Sequence, residues 1–206
     1  MRLPVILSLF IITSAGTATA QNAYIKLGQQ ALWAGNFRAA IQHLEKACLV
    51  DSTNSDALWM LGYSYYHSEN YKKSIAAYSR VIAVKPADAS AYYYRGRAKS
   101  YMAKDNSLNY TEKEKCLIGA ISDFTKALLI KPNDFKIFQN RGIAYRDYAV
   151  FKLTPGKGYD KSRGISALKA SIGDLEKALS DDPSRADLES LLELSKEKLA
   201  TAVGHH

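Results

Sequence analysis

Gly119-Ala-Ile-Ser-Asp-Phe-Thr-Lys-Ala-Leu-Leu-Ile-Lys-Pro-Asn-Asp134 pairs a helical apolar pattern with an abrupt stop. Ile121, Phe124, Ala127 and Leu128 fall at the steps that build one face of an amphipathic helix. Pro132, Asn133 and Asp134 end it, because proline cannot donate the next helical bond and turns the preceding residue away from helix. The same template recurs along the chain. Gly28, Gly62 and Gly96 stand at intervals of 34 residues, and Gly142 follows after 46. A glycine inside a helix costs about 1 kcal/mol against alanine, so its recurrence predicts a helix packed too close for a side chain. The expected seats are the small–Ile pairs Ala40-Ile41, Ser74-Ile75, Ala120-Ile121 and Ser171-Ile172, spaced 34, 46 and 51. Stops follow at Pro86, Pro132 and Pro183, with Ser52 in the equivalent place of the first copy.

A helix–turn–helix of 34 residues with Leu-Gly, Tyr, Ala, an aromatic, Ala and Pro at set places resembles the tetratricopeptide repeat. Residues 21–54 supply Leu27-Gly28, Phe37, Ala40, Leu44 and Ala47. Residues 55–88 supply Leu61-Gly62, Tyr65, Tyr71, Tyr78 and Pro86. Residues 89–134 supply Gly96, Ala120, Phe124, Ala127 and Pro132, and residues 135–184 supply Gly142, Tyr145, Leu175, Ala178 and Pro183. The resemblance implies an all-α, right-handed α-solenoid of about four repeats, forming a single domain over 21–206. A last helix over 184–203, with Ser184 as its cap and Leu188, Leu191, Leu192 and Leu199 on one face, is expected to cover the final repeat.

The third and fourth repeats are long, and the excess falls between the glycine and the small–Ile pair. It therefore lengthens the turn between the two helices of each repeat. Such turns share one edge of a solenoid, so both insertions are expected to project side by side. The first ends in Thr111-Glu112-Lys113-Glu114, a capping box that should start the next helix early. The second holds the loop Thr154-Pro155-Gly156-Lys157-Gly158. Its Lys152, Lys157, Lys161 and Arg163, with Lys169, make either a basic docking lobe or a solvated helical extension.

The first twenty residues differ from the rest. Met1-Arg2, the apolar run Leu3 to Ile12 and the small-residue pattern Ala18-Thr19-Ala20 have the form of a secretory signal peptide cleaved before Gln21. The run is well short of the roughly 20 apolar residues that span a bilayer. The expected mature protein is exported, periplasmic or secreted, without stable membrane insertion. Of 206 residues, 47% are hydrophobic and 23% charged, a composition that excludes a disordered chain. The formal net charge is +8, one unit of it from Arg2. In an exported protein that balance suits acidic surfaces or an acidic protein better than nucleic acid. Cys48 and Cys116 lie two repeats apart, so free buried thiols are expected.

The family's first helices line a concave wall. The inward positions here are Ile25, Gln29 and Leu32; Trp59, Tyr63 and Tyr66; Tyr93, Arg97 and Ser100; and Gln139, Ile143 and Arg146. Aromatic and arginine side chains dominate interface energies. Gln29, Trp59, Tyr63, Tyr66, Tyr93, Arg97 and Gln139 are therefore the expected partner-binding set, for a protein or peptide segment offering an acidic group to Arg97. The competing expectation is that Trp59 and the tyrosines pack on one another. Some family members clamp a terminal carboxylate with Lys and Asn at these places, which here hold Ile25, Gln29, Trp59 and Tyr63; Arg97 alone fits. Arg95 and Arg141 replace leucines in the repeats that carry Asp123 and Asp174, which predicts structural ion pairs among the four.

No catalytic or cofactor pattern is readable. His43 and His67 lack metal-ligand spacing, Gly156-Lys157-Gly158 lacks the phosphate-loop frame, and no Gly-x-Ser-x-Gly elbow occurs. The sequence thus points to a non-enzymatic interaction module with an aromatic groove. The alternative is a structural subunit of a cell-envelope assembly docking through residues 150–170.

Overall fold

A computed structural model describes residues 21–204; the expected signal peptide lies outside them. The described residues contain helices and no strand. After α1, helical over 21–33, come α2 (Phe37–Val50), α3 (Ser55–His67), α4 (Tyr71–Val84), α5 (Ala89–Met102), α6 (Tyr110–Ile130), α7 (Phe135–Leu153), α8 (Lys161–Leu179) and α9 (Ala186–Gly204). The fold class is the all-α solenoid of helix pairs.

Helix starts are set by one device. Asn36, Asn54, Asn70, Asp88, Asn109, Asp134 and Asp160 each precede a helix and accept a hydrogen bond from a backbone N–H of its first turn. Each such cap satisfies an otherwise orphaned donor, worth about 1 kcal/mol. Helix ends follow the stops expected from sequence: α4 finishes two residues before Pro86 and α6 two before Pro132. Ser184 is not the cap of α9. Its hydroxyl is donated to Asp182 at 2.6 Å, and it sits in the turn ahead of the helix.

The chain divides into two compact units, the first ending at Pro86 and the second beginning at Ala87. The first holds two helix pairs. Ala40, Leu44, Leu58, Tyr78 and Val81 are fully buried there. A Cβ on Gly62 would stand 3.0 Å from the Tyr78 ring, tighter than ordinary contact. The closest approach is thus to the residue four places after the expected seat: Leu44, Tyr78, Phe124 and Leu175 face the four repeat glycines. Ser74, the small residue itself, donates its hydroxyl to the Gly62 carbonyl at 2.9 Å. The tight turns of this unit place Gly35 and Glu69 at φ of 70° and 57°. Glycine takes that left-handed conformation freely and glutamate does not.

The second unit has two apolar clusters. One gathers Ala120, Phe124, Ala127, Leu175 and Ala178 with Leu188 and Leu192 of α9, so the last helix covers the final repeat as expected. The other comprises Leu117, Tyr148, Ala149, Ala167 and Leu168, with Leu199 against it. This second core belongs to the insertions. The extra residues do start α6 early, but the capping box is Asn109 with Glu112, not Thr111 with Glu114. The fourth-repeat excess lengthens both α7 and α8 and leaves only 154–160 as loop. Buried leucines such as Leu168, each contributing roughly 1.5–3 kcal/mol, make the excess chain part of the folded body.

Candidate partner-binding site

In the first unit, Trp59, Tyr63 and His67 recur every fourth residue on α3 and so lie one above another. Trp59 stacks on Tyr63 with ring centroids 5.5 Å apart and planes at 14°. Tyr63 meets His67 at 4.3 Å. Phe37 of α2 closes the column, stacked on His67 at 4.9 Å and 14°. Trp59 also meets the buried Tyr78 at a near-perpendicular 81°, with ring centroids 6.1 Å apart. The rings do pack on one another, yet Trp59 and Tyr63 stay half-exposed. Tyr66 was expected in the same row and is instead buried, edge-on to His67 and Tyr71. The step from Tyr63 to Tyr66 turns the side chain into the core, whereas the step to His67 keeps the column. Gln29 is half-buried on α1, and the exposed Trp33 ends that helix. The column's His67 and Phe37 escaped the sequence pattern, although the four-residue step from Tyr63 was there to find His67.

In the second unit, Tyr93 and Arg97 lie one turn apart on α5. The Arg97 guanidinium is 5.6 Å from the Tyr93 ring centre and 5.8 Å from that of Tyr94. Such contacts pre-orient the cation. The Tyr93 hydroxyl accepts from Asn140 Nδ2 at 3.2 Å, and burial above all pushes its pKa up. Tyr93 and Tyr94 line a cavity of about 180 Å³ together with Ser90, Lys131, Asp134 and Lys136. Gln139 is half-buried on α7. Ser100 and Arg146 line a separate and larger pocket of about 500 Å³.

Arg95 and Arg141 form the expected ion pairs. Arg95 donates to both oxygens of Asp123, at 2.9 and 2.6 Å, and Lys99 adds a third bond at 2.8 Å. Arg141 grips Asp174 at 2.7 and 2.8 Å and reaches Thr125 at 3.2 Å. Its pKa is raised, first by the bond to Asp174. Both pairs are structural.

The expected docking lobe needs correction at Lys152, which is 4% exposed. Its ammonium lies 2.5 Å from Glu114 and donates to the Tyr110 hydroxyl at 2.7 Å. Burial opposes that charge, but the bonds to Glu114 and Tyr110 outweigh it and hold the pKa up. Tyr110 stacks on Phe151 at 4.5 Å and donates to the Gly158 carbonyl at 3.1 Å. Gly158 has φ of 91°, and a Cβ there would strike the Tyr110 hydroxyl. Only glycine closes this clasp. The two insertions are therefore side by side as expected, but bound to each other. Lys157 remains exposed and Lys161 half-exposed. Arg163, 63% exposed, leans toward Asp160 and Glu114.

Both thiols are free, Cys48 buried and Cys116 half-buried, and burial raises the pKa of each. Among the described residues no cluster of three or more His, Cys, Asp or Glu side chains forms a metal site. No described helix is long and apolar enough to cross a membrane.

The family model "TPR repeat" matches residues 62–100, the span from the Gly62 close approach to the end of the Tyr93–Arg97 face. DnaJ homolog subfamily C member 7 of Homo sapiens is 31% identical over 97 residues, 45% of this chain and 20% of its own. The chain thus spans about a fifth of the length of the curated relatives it matches. Among solved structures, MamA from Desulfovibrio magneticus RS-1 superposes with a TM-score of 0.66 over 90% of both chains at 17% identity. The second TPR domain of human RPAP3, in complex with the HSP70 peptide SGPTIEEVD, superposes with a TM-score of 0.54 at 16% identity, covering 62% of this chain and 97% of its own. Repeat spacing, glycine packing and helix pairs agree with these likenesses: residues 62–100 match the tetratricopeptide repeat, and the described helices share the fold of solved tetratricopeptide-repeat structures.

Proposed function

We propose that the chain is an exported, non-enzymatic module that recognises a segment of a partner protein along its first helices. Tetratricopeptide repeats serve protein–protein interaction, and the chain is an interaction module at that level. The carrying observation is the ring column of α3. Trp59 and Tyr63 are fixed by stacking yet keep half-exposed faces, so they offer apolar contact area with little ordering cost on binding. The Tyr93–Arg97 face of α5 offers a pre-oriented guanidinium to an acidic group, which suits the excess positive charge of the chain. The peptide held by the RPAP3 repeat domain is a precedent for a segment of this kind. Export rests on the leader-like residues 1–20.

The mature chain and its Trp59→Ala and Arg97→Ala variants, used as bait on envelope extract of the native host, test the assignment. Loss of a common partner by either variant is expected. Retention of every partner by both would overturn it. Amino-terminal sequencing of the exported protein should begin at Gln21; an intact Met1 on protein in the cytoplasm would refute export. A second reading, docking of an envelope assembly through residues 150–170, draws on the exposed Lys157 and Arg163 held beside the clasp. Partner loss on Lys157→Glu/Arg163→Glu, with both groove variants intact, would favour it.

A further inference from the structure

The second helices of the first unit, α2 and α4, leave a hollow of about 410 Å³ between them. Leu61 and Tyr65 of α3 and Ala77 of α4, all buried, line it together with Cys48. The internal repeats account for the space. Cys48 stands seven residues after Ile41, and the same step from Ile75, Ile121 and Ile172 reaches Ile82, Leu128 and Leu179. The first copy thus has a small thiol where the others have a branched apolar side chain, and the missing bulk leaves its neighbours without contacts on one side. At the edge of the hollow, Leu49 is 86% exposed. Single exposed leucines are ordinary, but this one stands beside a space short of one such side chain. Val50 and Val84, also exposed, end the same two helices. The rim carries both signs of charge. Glu45 accepts from the Tyr65 hydroxyl and lies 3.6 Å from Lys73, and Arg80 donates to the Ser52 carbonyl at 2.7 Å.

We propose that two copies of the chain pair through this face about a two-fold axis, each placing Leu49 in the other's hollow. Knob and hole lie on one surface, which is the condition for an isologous contact. The rim meets the same condition: Glu45 of one copy faces Arg80 of the other, twice per dimer. A partner of one charge sign would match part of this rim and oppose the rest, so the mixed rim favours a second copy. The apolar floor of Leu61, Tyr65 and Ala77 favours a leucine over a small ion. The contact uses α2 and α4 and not the exposed faces of Trp59 and Tyr63, so the pairing stands independently of the partner-binding reading.

Sedimentation equilibrium of the mature chain tests this and should show a reversible monomer–dimer equilibrium. Leu49→Asp should weaken the dimer about a hundredfold or more, since two leucines leave the interface. Because Leu49 is exposed, the urea midpoint of the monomer should not move. Cys48→Leu should fill the hollow and abolish the dimer while leaving the fold at least as stable, which a merely structural role for Cys48 does not predict. Glu45→Arg and Arg80→Glu should each weaken the dimer alone and restore it when the two variants are mixed one to one. Only the mixed pair brings opposite charges together at both contacts, and a fold defect in either variant would not be cured by mixing. Trp59→Ala should leave the dimer unchanged, so failure here and failure of the aromatic-face assignment are distinguishable. A chain that stays monomeric at every concentration, a dimer indifferent to Leu49→Asp and Cys48→Leu, or no recovery on mixing would overturn the proposal. So would a monomeric chain that holds a different protein on this face and loses it with Leu49→Asp.

Discussion

Replacing Arg141 with methionine removes a guanidinium but keeps an unbranched stem beside Phe138 and Tyr145, whose rings lie 5.7 and 5.8 Å from the cation. What the variant leaves behind is Asp174, 6% exposed, with both oxygens stripped of donors that stood at 2.7 and 2.8 Å. Orphaning one member of a buried pair costs about 3–5 kcal/mol. Asp123 provides an internal comparison. It is as deeply buried, but Arg95→Met leaves Lys99 Nζ at 2.8 Å from its Oδ2. The carboxylate keeps a charged partner there, and the loss should be about 1–3 kcal/mol, the worth of charged hydrogen bonds. Urea unfolding followed by circular dichroism measures both, since the two tryptophans, Trp33 and Trp59, lie in the first unit and do not report on the second. With a slope of roughly 2 kcal/mol per molar urea, Arg141→Met should lower the midpoint by about 2 M and Arg95→Met by about half that or less. Arg141→Met/Asp174→Leu should recover most of the loss, because removing both partners removes the orphaned charge. An Arg141→Met protein as stable as the parent would refute the structural role of the pair. An Arg95→Met protein hurt as badly as Arg141→Met would refute the protective role of Lys99.

Other substitutions test other parts of the frame. Glu69→Gly should raise the urea midpoint, by about 1 kcal/mol in stability, because φ of 57° strains glutamate; an unchanged midpoint would count against strain there. Ser171→Ala should stabilise by about 1 kcal/mol, as its buried hydroxyl has no partner. Ser74→Ala should destabilise by a similar amount, as its hydroxyl binds the Gly62 carbonyl; equal effects would show the two sites are not distinguished by that bond. Lys152→Met should cost roughly 2 kcal/mol by breaking the clasp, and amide exchange should rise in 103–115 and 152–162; undisturbed exchange would refute the coupling of the insertions. Burial raises the pKa of Asp147 against the opposing pull of Lys104 and Arg146. Its contribution is therefore present below the unfolded carboxylate value and lost as pH rises through the folded one. Asp147→Asn should flatten that fall and cost no stability at neutral pH; a steeper fall would reverse the sign.

The regular part of the fold was legible because it is written as a period. Gly62 to Gly96 and Ser74 to Ala120 mark the pairs, and Pro86 and Pro132 mark the stops. The partners of Arg95 and Arg141 were legible for the same reason: a charge breaking a repeated leucine had to be matched by another break. Tyr66 was misplaced because a helix face is broad and a three-residue step lies near its edge. Lys152 was misplaced for a different reason. A basic side chain in an insertion reads as solvent-facing, and its burial depends on Glu114 and Tyr110, some 40 residues away in sequence and outside any period. Ser100 and Arg146 were legible as inward positions, but the pocket they line was not, since four helices contribute to it and none shows it alone.

Repeat arrays ordinarily grow and shrink by whole repeats, each copy being exchangeable for its neighbour. The clasp of Tyr110, Glu114 and Lys152 over Gly158 ends that freedom for the last two copies here. Deleting the third would strand a lysine in an apolar wall, and deleting the fourth would bare an aromatic ring and an unpaired acid. The heritable module in this part of the chain is the doublet. A lineage could lengthen the array ahead of it, but the doublet would have to be gained, kept or lost in one step.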